Sequence, residues 1–114
     1  MSLKSEIKVG YSTIEIEKRT SSFSTTNMVD IYGQYLPREN KIEIQPGLSD
    51  IDEANTLLHE IMHAAVWVSS LNQGGQPLEE GDNEELVVNS LTNTLTKVLI
   101  DNKWLLPYLT KKLI

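Results

Sequence analysis

The chain has 114 residues, 39% of them hydrophobic and 23% charged, with a formal net charge of −6 and no cysteine. That length suits one domain, residues 1–114, around one core. The missing thiols exclude disulfides, zinc–thiolate sites and cysteine nucleophiles, and the acidic balance argues against nucleic-acid binding and against a polybasic membrane anchor.

No apolar run approaches the roughly 18 residues of a membrane span. The opening "MSLKSEIKVG" lacks the apolar stretch of a signal peptide. A cytoplasmic protein is the expectation.

The segment "EIKVGYSTIEIEK" (6–18) alternates, with Ile7, Val9 and Tyr11 on one side and Ile14 and Ile16 resuming after Ser12-Thr13. Period two predicts one bent strand or two short ones. The Ser- and Thr-rich "RTSSFSTTN" (19–27) reads as a loop. "MVDIYGQYL" (28–36) and "KIEIQ" (41–45) read as two strands, with Val29 and Ile31 facing one way and Ile42 and Ile44 another such pair. The turn chemistry of "PREN" between them predicts a β-hairpin. Gly33, inside the first of these strands, points to a bulge or a close backbone approach.

Pro46-Gly47 ends the third strand. Ser49 is then a helix N-cap, with Asp50 and Asp52 in the first turn. Ile51, Ala54, Leu57, Leu58, Ile61, Met62, Ala65 and Val68 recur at helical spacing and predict a helix over about 50–69. Its end, "AAVWV" (64–68), is apolar all round and is expected to be buried. A loop with two glycines and a proline follows over 69–81. Asp82 caps a second predicted helix over 83–101, with Leu86, Val88, Leu91, Leu95, Val98 and Leu99 as its apolar face. "KWLLPYLTKKLI" (103–114) predicts a short amphipathic helix broken near Pro107. Strands first and helices afterwards is the α+β pattern. The expected sheet is small, N-terminal and antiparallel.

Both histidines of the chain lie in "LLHEIMHAA" (57–65). His59 and His63 are four apart, just over one helical turn, so both imidazoles leave one face. Two such nitrogens can bind one Zn²⁺ at about 2.0–2.1 Å. In this H-E-x-x-H spacing Glu60 is the catalytic residue and not a ligand: it takes a proton from the water the metal activates and passes it to the leaving amine. The pattern arises by accident in roughly 1–2% of chains this long, so its setting inside an apolar helix carries weight. The plain alternative is two partly exposed helix histidines beside an ordinary glutamate.

A catalytic zinc takes a third protein ligand and leaves a position open. The longer H-E-x-x-H-x-x-G-x-x-H pattern would need Gly at Val66 and His at Ser69, so it fails. With no third histidine, the ligand must be a carboxylate. "GDNEELVVNSL" (81–91) offers Glu84 and Glu85. Glu85 is preferred, because Val88, Thr92 and Leu95 follow it on the inward face. Glu84 is the alternative third ligand, and a capping box between Asp82 and Glu85 is the competing role. Glu79 and Glu80 lie in the preceding loop and are weaker candidates. Asn55, Asn89 or a backbone carbonyl could orient the histidines. Tyr32, Tyr35 and Tyr108 are candidates, by residue type, for stabilising an oxyanion.

"LLHEIMHAA" on a helix after a hairpin, a short loop and then "EELVVNSLTNTL" resembles the small HExxH metallopeptidase-like proteins of phages and prophages, relatives of the ImmA/IrrE group of gluzincins. The resemblance covers residues 28 to 102. In that group the second motif reads approximately Glu-x-x-Ala-Asn-x-Phe-Ala, and Glu85, Val88, Asn89, Leu91 and Thr92 fall at its positions. Val for Ala and Leu for Phe are departures. The resemblance implies a minimal zincin that binds Zn²⁺ and cleaves a protein or peptide substrate, repressor-type proteins being the substrates of that group. In zincins an edge strand beside the active-site helix pairs with the substrate; the strands around 28–36 and 41–45 are the candidates. Two other readings follow from the residues: a zincin-fold interaction protein without turnover, since so short a chain leaves little for a deep cleft, and a structural zinc site, for which Glu60 would be unnecessary.

Overall fold

The computed structural model describes residues 3–19 and 32–114. It is an α+β fold: a four-stranded mixed sheet followed by three helices. The strands are β1 (Glu6–Val9), β2 (Ser12–Lys18), β3 (Gly33–Leu36) and β4 (Lys41–Ile44). The helices are α1 (Asp50–Val68), α2 (Gly81–Asp101) and α3 (Leu105–Leu113).

The alternating 6–18 stretch forms two strands. β1 and β2 pair antiparallel, with Ile7 opposite Ile14, around a turn in which Gly10 takes φ 59°. A β-carbon on Gly10 would stand 2.4 Å from Val68 Cγ1, so glycine also lets the turn meet the end of α1. The hairpin expected around "PREN" is present: β3 and β4 pair antiparallel, with Gly33 opposite Ile44 and Tyr35 opposite Ile42. Between them a 3-10 turn, Pro37–Glu39, ends on Asn40 at φ 49°, a conformation asparagine tolerates. The N-terminal part of the expected strand, residues 28–31 with Val29 and Ile31, and the loop over 20–27 lie outside the described residues.

The sheet is not purely antiparallel. Its order is β1-β2-β4-β3, and β2 pairs with β4 in parallel, Ile16 beside Ile42. Alternation fixes which side chains face inward but carries no direction, so both pairings satisfy the same pattern. Ile14, Ile42 and Ile44, all fully buried, face α1 and meet Ala64 there. Leu57 and Ile61 pack beside them.

α1 starts as expected: Ser49 Oγ accepts the Asp52 N–H at 3.2 Å, and three acidic residues occupy the first turn. Burial of its last turn is incomplete. Ala64 and Val66 are buried but Trp67 is 39% exposed, because among the described residues it borders an open cleft. α2 begins two residues earlier than expected, with Glu80 and not Asp82 at the N-cap and no side-chain cap. First-turn N–H groups need no helical partner, so Gly81 and Asp82 fit inside the helix, and the Asp82 charge suits its positive end. Among the described residues only α1 covers α2 substantially. Val88 and Thr92 are therefore buried, while Leu86, Leu91, Leu95 and Val98 of the expected apolar face are exposed. Asn55 ties the two helices, its Nδ2 donating to Asn93 Oδ1 at 3.2 Å and Thr96 Oγ1 at 2.9 Å.

α3 is continuous. Pro107 falls in its first turn, where the missing N–H breaks nothing. No helix among the described residues is long and apolar enough to cross a membrane.

Candidate metal centre

α1 and α2 run side by side, and the predicted site residues meet between them. His59 and His63 are neighbours on α1, their ring centroids 4.9 Å apart and their Nε2 atoms 3.2 Å apart. Glu85 reaches across from α2. Its Oε1 lies 3.0 Å from His59 Nε2 and its Oε2 lies 2.9 Å from His63 Nε2. One donor atom from each of the three residues can be chosen within 4.8 Å of the others.

This donor set fits a zinc ion. Ligands at about 2.0–2.1 Å on a tetrahedron stand about 3.3 Å from one another. The observed 2.9–3.2 Å needs only a slight spreading. The histidine side chains are 16% and 14% exposed, while Glu85 is 57% exposed, so the open side of the triangle faces solvent. Two imidazoles and a carboxylate suit Zn²⁺.

Glu84 lies elsewhere. It is one residue from Glu85, and the two straddle the line of Val88, so both project toward α1. Glu84 Oε2 sits 2.6 Å from His63 Nδ1, the nitrogen pointing away from the triangle. The alternative third ligand is thus set against the back of His63. The competing capping box is not formed either, since α2 has no side-chain cap. Glu79 Oε1 accepts the Gly75 N–H at 2.8 Å and serves the loop. Asn55 binds α2 and not a histidine, and Asn89 lines the cleft.

Glu60 occupies a different environment from the histidines beside it. Three residues before His63, it is turned about 60° toward the buried face of α1. It is 6% exposed and borders the cleft. Burial pushes its pKa up to about 7, against a smaller lowering by His63. Burial also lowers His59, against the raising effect of Glu85. β3 closes in from the other side. A β-carbon on Gly33 would stand 2.7 Å from Thr56 Cγ2, 2.9 Å from the Glu43 carbonyl oxygen and 3.6 Å from Glu60 Cγ. Gly33 therefore marks the close backbone approach anticipated for it.

The site opens into a cleft of about 940 Å³ between β3, α1 and α2. Tyr32, Tyr35, Trp67 and Leu86 line it together with His59, Glu60, His63 and Glu85. So a chain of this length does build a cleft. Tyr35 also packs against the core, and its hydroxyl is buried without a hydrogen-bond partner among the described residues. Burial raises its pKa. Tyr108, the third tyrosine candidate, is on α3 against Trp104, outside the cleft.

Compared with known protein families, curated proteins and solved structures, the chain gives no significant match.

Proposed function

We propose that the chain is a zinc-dependent metallopeptidase of minimal zincin type. One observation carries this reading: His59, His63 and Glu85 stand at near-tetrahedral spacing while the buried Glu60 lines the same cleft. A structural site would have no use for such a carboxylate. Kinship with the phage and prophage relatives of the ImmA/IrrE group belongs to the same proposal.

His59, His63 and Glu85 would hold the ion. When bound, zinc supplies an acidified water and Lewis-acid pull on the scissile carbonyl. Glu60 would serve as general base toward the attacking water and return the proton to the departing amine. A carboxylate already displaced toward neutrality is suited to both transfers. Tyr32 and Tyr35 remain the candidates for donating to the developing oxyanion.

Substrate would be a protein or extended peptide paired along β3. Among the described residues β3 has a partner on one side only, in contrast to β4, which lies between β2 and β3. Gly33, Gln34 and Tyr35 on that strand line the cleft.

The test is metal content of protein purified without chelator, followed by peptide hydrolysis with Glu60→Gln as control. One zinc per chain, lost in His63→Ala, with hydrolysis abolished and zinc retained in Glu60→Gln, is the expected result. A wild type that takes up no zinc at neutral pH overturns the reading.

A further inference from the structure

The back of His63 is tied to a loop. Glu84 Oε2 lies 2.6 Å from His63 Nδ1, and Asn72 Nδ2 donates to Glu84 Oε1 at 2.9 Å. Asn72 belongs to the 69–80 connection between α1 and α2. The His63 and Glu84 side chains are only 14% and 15% exposed, so water competes weakly for these bonds. A carboxylate oxygen only accepts, so Glu84 Oε2 is placed to hold a proton on His63 Nδ1. A metal in the triangle would then take the lone pair of Nε2, beside which Glu85 Oε2 lies at 2.9 Å.

We propose that Asn72 and Glu84 are positioning residues: Glu84 holds His63 with its proton on Nδ1 and its ring aimed at the metal position, and Asn72 holds Glu84. This rests on the metal-site reading above. It adds that the connecting loop is a working part of the site. A carboxylate behind a ligand histidine fixes its tautomer and orientation, and losing such a partner weakens metal binding by about 10–100-fold.

The polarity of the chain can be reversed, which separates positioning from mere structural linkage. In Glu84→Gln the single amide oxygen can serve His63, but the new –NH₂ then faces the –NH₂ of Asn72. In Asn72→Asp two carboxylates face each other. In the double variant the amide introduced at position 84 donates to the carboxylate introduced at position 72 and still accepts from His63, and net charge is unchanged from wild type. Zinc affinity of the full chain is measured by competition with a chromogenic chelator, with a thermal melt to check folding. Each single variant is expected to bind zinc about 10–100-fold more weakly, and the double variant to recover most of the loss. Singles that bind like wild type, or a double variant weaker than either single, overturn the proposal.

A second readout needs no metal. In metal-free, isotopically labelled protein, NMR is expected to detect a slowly exchanging His63 Nδ1–H in wild type and the double variant, with faster exchange in the singles. If the chain takes up no zinc at all, the peptidase reading fails while this signal still decides the role of Glu84. Its absence from wild type refutes the positioning chain.

Discussion

Gly33 and Thr56 meet across the seam between β3 and α1, and no side chain fits between them. A β-carbon at position 33 would come within 2.7 Å of Thr56 Cγ2 and 2.9 Å of the Glu43 carbonyl oxygen. The backbone oxygen cannot rotate aside, so β3 itself would have to move. Gly33→Ala should therefore destabilise the fold by about 1–3 kcal/mol, the usual range for overpacking. Because β3 also screens Glu60, hydrolysis should fall more than the loss of folded protein explains. A thermal melt paired with activity per folded molecule checks both, and an unchanged melting temperature would contradict the contact.

Glu60 should govern how metal-free protein responds to pH. Its carboxyl rises from an ordinary 4.5 to about 7 because burial favours the neutral form. The folded state then binds a proton more readily than the unfolded one. This contribution is fully present below pH 4.5 and is lost as pH rises through about 7, reaching roughly 3 kcal/mol by pH 8. His59 acts in the opposite direction, since its lowered pKa removes stability as pH falls below 6.5. Glu60→Gln leaves that histidine in place. Denaturant unfolding should thus find Glu60→Gln more stable than wild type at pH 8, with the advantage shrinking toward pH 5. Parallel curves across this range would mean that Glu60 is not desolvated.

Glu85→Ala and Glu84→Ala should differ in kind. Glu85 contributes a donor atom to the triangle, and its loss should abolish stoichiometric zinc binding at micromolar protein. Glu84→Ala should weaken binding but preserve one zinc per chain at saturation. Titration followed by elemental analysis distinguishes them. Equal behaviour would mean that the two carboxylates share the ligand role.

Tyr35→Phe removes a buried hydroxyl that has no partner among the described residues. An unsatisfied polar atom opposes folding, so the variant should melt at or above the wild-type temperature. If that hydroxyl donates to the oxyanion, turnover should drop about 10²-fold with KM nearly unchanged. Unchanged turnover passes the role to Tyr32.

The parts of this molecule that were legible in the sequence are those whose signals are local. His59, Glu60 and His63 share one helix, so spacing alone put the two imidazoles on one face. Ser49 caps α1 through a bond only three residues long. Glu85 could be preferred because Val88 and Thr92 follow it on the covered face. What the sequence hid depends on neighbours. The parallel pairing of β2 with β4 leaves no mark on alternation. Trp67 reads as core, but among the described residues it borders the cleft and stays partly exposed. The link from Asn72 through Glu84 to His63 joins three segments, although the adjacency of Glu84 to Glu85, both flanking Val88, was a usable clue.

The proposed metal ligands come from two consecutive helices, all within residues 59–85, whereas the environment of Glu60 is completed by β3 from the sheet. In the proposed reading, holding the ion and tuning the base belong to separate parts of the architecture. On that reading a descendant that loosened β3 from α1 would keep its metal and lose its chemistry in one step, and would pass any assay that counts zinc. Metal content and turnover can diverge among such molecules without a single ligand being replaced.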